Sequence, residues 1–323
     1  MITKNIFSVA VLLFTCNNAF AQTKEYNFKP EWKVGDKKSV RIVQHETEYK
    51  KGKLVGDDTT YLSAEMAVLS EDDKNYTLKV LYENVALTAA INFYDKMGEE
   101  LSDYKNLELK YTVDKQGGKA ELINWKEAQQ FMNTSFDRIN EVMEKKAPDA
   151  ASYTKLMFAP LREIFNSKQN IESYMSDQVG YLLFPYGKKF VVGDTLTVTS
   201  KGANPFNPMD SISQTTVSYL DNIDDTKKVC DINYREIFDL SKFKEMMKTM
   251  MEKMMKSADA GDKSKTKTAK EIDSIDFDVT NKTVITFDYN STWPLKVVKI
   301  GKVVAGDPSG KTEKTVFVTA TIK

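Results

Sequence analysis

The chain has 323 residues, with 46 basic and 46 acidic side chains, one histidine and two cysteines. Balanced charge, with no basic run or stripe, excludes the usual electrostatic footprint of a nucleic-acid binder. A single histidine, His45, excludes serine–histidine and cysteine–histidine nucleophile pairs, which leave it no partner, and zinc sites built from two or more histidines.

Residues 1–21 read as a secretory signal peptide. Met1-Ile2-Thr3-Lys4 is a short basic start, and Ile6 to Phe14 is almost unbroken apolar sequence. Ala19-Phe20-Ala21 then places small residues where a signal peptidase reads them. Cleavage is expected near Ala21-Gln22. The apolar run is too short to span a bilayer, which takes roughly 20 residues. The chain is therefore expected to be exported to the periplasm or cell envelope, with no transmembrane span in the mature part. A lipoprotein alternative would use Cys16, but Thr15 stands where a lipobox has Gly or Ala. Loss of Cys16 with the signal leaves Cys230 alone, so no internal disulfide is expected.

Residues 22–123 form a first β half. Strands are expected near 38–50, 58–70, 74–88, 89–95, 106–114 and 119–123, separated by Lys51-Gly52-Lys53, Asp72-Asp73 and Gln116-Gly117-Gly118. Alternation is plain in Thr60-Tyr61-Leu62-Ser63-Ala64-Glu65-Met66-Ala67-Val68, which implies one buried and one wet face. His45 falls mid-strand and is read as a half-exposed strand residue. Residues 124–187 form a helical segment. Asn124 with Glu127 resembles a capping pair, opening a helix to about Lys146 whose stripe is Ala128, Phe131, Met132, Ser135, Ile139 and Val142. Two more helices are expected at roughly 150–165 and 168–180, with apolar faces that include Leu156, Leu161, Ile164, Phe165, Ile171 and Met175.

Residues 188–323 form a second β half, with strands near 189–200, 211–221, 227–238, 271–290, 295–304 and 312–322, the fourth broken around Asn281. It repeats the first. Trp32-Lys33-Val34-Gly35-Asp36 matches Phe190-Val191-Val192-Gly193-Asp194. The stretch from Asp72 to Val85 aligns without gaps on Asp224 to Ile237. The period-2 core positions Leu78, Val80 and Tyr82 thereby fall on Cys230, Ile232 and Tyr234. Cys230 takes the place of a leucine and reads as a small buried hydrophobe.

The second half carries an insertion. The interval from Tyr234 to Phe287 is much longer than that from Tyr82 to Tyr111 and holds a methionine-rich helix at 241–257, then a flexible polar linker at 258–270. On that helix Phe243, Met246, Met247, Met250, Met251, Met254 and Met255 share one face, while Lys244, Lys248, Glu252 and Lys256 share the other. Four readings are open. The face packs on the sheet; it is an adaptable cover over an apolar groove; its thioethers bind Cu(I); or it lies on a membrane surface.

Catalytic signals are weak. Gly117-Gly118 lacks the Gly-Lys-Ser/Thr ending of a phosphate loop. Asp57-Asp58, Asp72-Asp73 and Asp224-Asp225 sit at predicted hairpin tips, where turn chemistry explains them better than calcium. Glu99-Glu100 and Asp273, Asp276 and Asp278 could pair as carboxylates, yet such pairs are common on wet strand faces. The expectation is a protein that is not an enzyme, without cofactor or metal.

The Trp-x-Val-Gly-Asp start, the Asp-Asp turns and Tyr111-Thr112-Val113-Asp114-Lys115-Gln116-Gly117-Gly118-Lys119 resemble uncharacterised secreted bacterial proteins of unknown-function families. The order of elements is also similar to the LolA/LppX lipoprotein-carrier and lipid-binding group, which implies a curled antiparallel sheet covered by helices. The expected fold class is accordingly α+β: long-stranded antiparallel sheets, curved and half-barrel-like, in two similar halves covered by amphipathic helices. The expected role is a cell-envelope protein binding an apolar ligand, a lipid or a lipidated partner in the concave face. The methionine ladder and Phe243 would form part of that site. Alternatives are a structural or protein-interaction module of the envelope, and Cu(I) binding through the ladder.

Overall fold

The computed structural model describes residues 24–83, 106–117, 119–148, 165–203, 211–238, 276–307 and 310–323, with single positions between 151 and 162. The signal-like start with Cys16, the strand expected at 89–95, most of the helix expected at 150–165, the methionine ladder and the linker lie outside them.

The strands are β1 (Glu25–Asn27), β2 (Lys37–Lys50), β3 (Lys53–Glu71), β4 (Asn75–Glu83), β5 (Leu107–Asp114), β6 (Ala120–Leu122), β7 (Lys189–Val191), β8 (Leu196–Ala203), β9 (Ser211–Asp224), β10 (Val229–Phe238), β11 (Asp276–Asp288), β12 (Trp293–Asp307) and β13 (Gly310–Ile322). Among the described residues two helices, α1 (Trp125–Lys146) and α2 (Lys168–Leu183), lie between β6 and β7. Eleven strands form one antiparallel sheet in the order β6-β5-β4-β3-β2-β13-β12-β11-β10-β9-β8, while β1 pairs with β7 separately. The two halves thus join into a single sheet, through the β2–β13 ladder.

The expected helix-covered α+β architecture is not what forms. Among the described residues 61% lie in strands against 18% in helices, and the described helices do not cover the sheet. α1 lies against β5 and α2, and α2 lies against β6, β8 and β12. Amphipathic stripes say that a helix buries one face, not how much of a sheet it screens. Here α2 reaches strands from both edges. A flat sheet of this size would hold its edges roughly 48 Å apart, while a 16-residue helix spans only about 24 Å. The sheet therefore curls around its own inner face.

Two local expectations also change. β11 runs unbroken through Asn281, which pairs with both Glu236 and Gly301; the irregularity sits instead at Thr286/Phe287. Asn124 does not cap α1 with its side chain. Its Oδ1 accepts from Lys110 N and its Nδ2 donates to Glu108 O, both at 2.8 Å, so the amide extends the β5 edge. α2 does have a side-chain cap, Ser167 Oγ accepting from Asn170 N at 3.1 Å. Phe136 and Met143 are buried on α1 beside the expected Ala128 and Val142.

The repeat is visible in three dimensions. Leu78, Val80 and Tyr82 are buried, and so are Cys230, Ile232 and Tyr234. Tyr111 faces Leu78 across β4–β5, as Phe287 faces Cys230 across β10–β11. Trp32 and Phe190 are both buried, and the glycines behind them take φ of +93° at Gly35 and +86° at Gly193. Asp36 N donates to Lys33 O and Asp194 N to Val191 O, closing matched turns that need a residue with positive φ in third place.

Asp72 Oδ1 accepts from Lys74 N and Asn75 N; Asp224 Oδ1 accepts from Thr226 N and Lys227 N. Asp114 and Asp288 cap their turns similarly. All four turns lie at the same end of the sheet, and the core lies there too. Trp32, Trp293, Tyr186, Phe287 and Phe28 pack through ring contacts of 4.7 to 5.7 Å. On β2 only Val40 and Ile42 are fully buried, so about eight residues of that strand run on past the core.

Among the described glycines, Gly117 and Gly187 mark the tightest approach. A Cβ on Gly187 would sit 2.5 Å from Gly117 O, and one on Gly117 would sit 2.3 Å from Gly187 N. Gly35 has open space around it. In chemical denaturation, Gly35→Ala is expected to cost about 1–2 kcal/mol, the left-handed backbone penalty alone. Gly187→Ala is expected to cost several kcal/mol or to prevent folding, since backbone must move as well. The Asp72 and Asp224 carboxyls are held below the usual carboxylate range by the backbone N–H groups they accept from. Their contribution is present above the unfolded value near 3.8 and is lost as pH falls through the lowered folded value. Thermal melts of Asp72→Ala and Asp224→Ala should show a deficit at pH 7 that shrinks below about pH 3.

Candidate functional site

Register places three successive rows of side chains on the inner face of the sheet. The first, nearest the core, is Leu220, Ile232, Ile285, Val297, Ala320 and Ile42, all buried. The second is Ser218, Tyr234, Thr283, Lys299, Val318 and Gln44, with Thr60 at its end on β3. The third is Thr216, Glu236, Asn281, Gly301, Val316 and Glu46. Within two residues along each strand, or about 7 Å, the inner face passes from sealed hydrocarbon to hydroxyl, amide and charge.

The second row holds the unusual groups. Thr283 is fully buried, yet its Oγ1 has no hydrogen-bond partner. A buried unpaired hydroxyl costs about 1–3 kcal/mol, so native structures rarely keep one without a use for it. Ser218, also buried, donates to Leu196 O. Tyr234 stacks on Phe184 at 4.1 Å, where the chain leaves α2. Above the Phe184 ring, 4.0 Å from its centroid, lies Lys188 Nζ, which donates to Phe184 O. Burial pushes the Lys188 ammonium down to about 8, and no carboxylate acts to raise it. Among the described residues Lys299 has no ion-pair partner either.

The third row is already satisfied. Glu236 accepts from Gln214 Nε2 at 2.8 Å and Asn281 Nδ2 at 3.2 Å, and Glu46 pairs with Lys314 at 2.6 Å. The Asn281 side chain fills the space beside Gly301, where a Cβ would sit 3.2 Å from Asn281 Oδ1. Farther out on the same face Val279 and Val303 are paired, with Val303 exposed.

Of the residues singled out from sequence, Phe243, Met246, Met247, Met250, Met251, Met254 and Met255 lie outside the described residues, as do Glu99, Glu100 and Asp273. Asp278 is exposed on the outer face, away from Glu236. His45 Nε2 meets Asp57 Oδ1 at 2.7 Å on the exposed outer surface, far from any cluster of reactive groups. Among the described residues no three His, Cys, Asp or Glu side chains converge as metal ligands. Sequence reasoning missed Lys188 and Thr283. Tyr186-Gly187-Lys188-Lys189 reads as a polar turn, and Thr283 reads as ordinary strand alternation; nothing local reveals that Lys188 is partly buried and desolvated or that Thr283 is fully buried.

No family model matches this sequence, and no curated protein matches it. Among solved structures it is similar to an outer membrane channel from Pseudomonas putida F1, at 9% identity and a TM-score of 0.23, covering 91% of this chain and 98% of that one. It is also similar to Ail, the attachment invasion locus protein of Yersinia pestis, at 6% identity and a TM-score of 0.15, covering 90% and 100%. Likeness at this level carries no argument about fold or function. The LolA/LppX resemblance drawn from the order of elements finds no support in these comparisons.

Cys230 is free, fully buried, and its thiol is pushed up to about 12, first by burial and then by the neighbouring Asp231. Since the thiolate is the reactive form, a thiol reagent at pH 8 should label the native protein slowly and the denatured protein within minutes. Fast labelling of the native state would contradict this burial.

Proposed function

We propose that this protein is a non-enzymatic, exported binding protein of the cell envelope that holds an apolar or amphiphilic ligand on the inner face of its sheet. The observation that carries the reading is the second row. A fully buried, unpartnered Thr283 hydroxyl stands beside a sealed apolar layer, and a desolvated Lys188 without counter-charge lies over the Phe184 ring that stacks on Tyr234 of the same row. Buried apolar surface interrupted by a few polar groups that lack partners is how small-molecule sites are lined. Export is supported by the pattern of residues 1–21.

The outer face of β4 and β5 agrees with water rather than lipid. Outward positions on β4 and β5 include Thr77, Lys79, Glu108, Lys110 and Thr112, with Glu108 and Lys110 paired at 2.8 Å. A lipid-facing strand would carry an apolar band there. In sequence the methionine-rich interval falls between Phe238, the end of β10, and Asp276, the start of β11, the two strands that carry Glu236 and Asn281. That connectivity supports the ladder as a contributor of adaptable apolar side chains near the ligand.

A second reading, an interaction module, is favoured by β8. Among the described residues this edge strand pairs only with β9, and Val198 on it is exposed. Such an edge can accept a strand from another chain.

Native mass spectrometry of protein purified from its own envelope, together with displacement of a fluorescent fatty-acyl dye, separates the two readings. Expected are a co-purifying small molecule released on denaturation and saturable dye binding. Replacing the six ladder methionines by leucine should leave dye binding within about threefold, because volume-conserving apolar swaps are tolerated. Protein that carries no small molecule and binds no dye would refute the ligand reading and leave the interaction module.

A further inference from the structure

Tyr49-Lys50-Lys51-Gly52-Lys53-Leu54-Val55 closes the β2–β3 hairpin at the end of the sheet remote from the core. Lys51 and Gly52 take φ of +51° and +75°, the two-residue turn that suits the twist of paired strands. Lys50 pairs with Lys53 and Tyr49 with Leu54, while Val55 is the extra residue of a bulge. The β12–β13 turn lies alongside. Lys51 N donates to Lys311 O at 2.8 Å, and the Lys51 stem crosses Gly310, where a Cβ would sit 2.8 Å from Lys51 Cγ. Together the two hairpins carry the sheet about eight residues, or roughly 27 Å, past the buried Ile42.

Leu54 and Val55 are 50% and 54% exposed, and Tyr49 is exposed beside them. Lys50, Lys51, Lys53 and Lys311 are exposed as well. Lys50 lies 3.5 Å from Glu48, but among the described residues Lys51, Lys53 and Lys311 have no ion-pair partner. The nearby Glu313 and Glu46 are taken by Lys302 at 2.8 Å and Lys314 at 2.6 Å. Four lysines against Glu48 and Asp307 leave the two turns positive. We infer that this tip docks the protein on the surface of an anionic lipid bilayer, with Leu54 and Val55 entering the boundary between headgroups and acyl chains. Tyr49 lies at the interface and the lysines among the phosphates. Apolar residues bounded by lysines match both layers of such a surface, because lysine stems lie along hydrocarbon while their ammonium groups reach outward. An acidic protein would match the charge alone. A stable protein interface covers about 800 Å² of each partner, a breadth that a projecting turn does not offer, whereas a fluid bilayer closes around it. The inference does not depend on a ligand at the inner face.

Flotation of the exported protein, purified from its own envelope, compares vesicles of phosphatidylcholine with vesicles that also contain about 30% phosphatidylglycerol. The mixed vesicles should bind about tenfold more tightly or better, and high salt should abolish the preference. Lys50→Gln, Lys51→Gln and Lys53→Gln together should weaken binding by about tenfold or more in a protein that melts normally. Lys33→Gln, Lys74→Gln and Lys228→Gln, at exposed positions of the core end, should together leave binding within about twofold. Leu54→Ser with Val55→Ser should cost about fivefold at unchanged charge. An environment-sensitive thiol dye on Leu54→Cys should brighten on the mixed vesicles, with Cys230 too buried to take the label. Equal loss from the two lysine triples, or binding that survives the tip triple, would overturn the tip as the docking site. Capture by soluble polyglutamate as tight as by vesicles, without brightening of the dye, would overturn the bilayer in favour of an acidic polypeptide. Failure to float with anionic vesicles would overturn the inference outright.

Discussion

One backbone carbonyl, that of Thr292, holds the core end of this protein together. It accepts from Tyr186 Oη at 2.5 Å and from Trp32 Nε1 at 3.3 Å. Trp32 opens the first repeat, Tyr186 precedes the second, and Thr292 lies in the turn between β11 and β12. Three segments distant in sequence thus meet at one acceptor. Thr292 has φ +55°, a left-handed conformation that a β-branched residue adopts at a cost of about 1–3 kcal/mol. Its Oγ1 accepts from Glu31 N at 2.9 Å, so both of its oxygens are used. Around this acceptor the rings of Trp32, Trp293, Tyr186 and Phe287 exclude water, and low dielectric strengthens the bonds they surround.

From that point the architecture follows. Tyr186 can reach Thr292 only if the chain turns sharply at Gly187, whose missing side chain lets the β5–β6 turn at Gly117 approach. Gly187 N donates to Phe28 O, which brings the first strand of the chain to the start of the second repeat. β1 and β7 then pair beside the main sheet. Lys188 follows at once, and its burial against Phe184 comes from the same turn that seats Tyr186. The tight packing of the core end and the desolvation of Lys188 share one cause.

The repeat explains the symmetry of the sheet, and the departures from it explain where chemistry can lie. Val68, Met66 and Ala64 of β3 pair with Leu78, Val80 and Tyr82, while Leu220 and Ser218 of β9 pair with Ile232 and Tyr234. Where the first half has Ala64 beside Tyr82, the second has Ser218 and Thr283 flanking Tyr234. Hydroxyls therefore appear in the half whose β10–β11 connection carries the long insertion. The unpartnered Thr283 hydroxyl lies on that side.

Period-2 alternation and Gly-Asp punctuation were enough to read most strands, their buried faces and the internal repeat directly from the chain. Those features are local: side-chain direction alternates along a strand, and an aspartate bonds backbone two or three residues away. The same local logic identified Cys230 as a core residue. Helical stripes were legible too, but a stripe specifies a buried face and not its partner, so the extent of helical cover was misjudged. Asn124 shows the same limit, since its side chain chose the β5 edge over its own helix. Joining of the halves at β2–β13, the curl that brings β6 and β8 to α2, the desolvation of Lys188 and the burial of Thr283 arose only in the tertiary structure. Each depends on contacts between segments tens to hundreds of residues apart, and desolvation has no sequence signature until those contacts form.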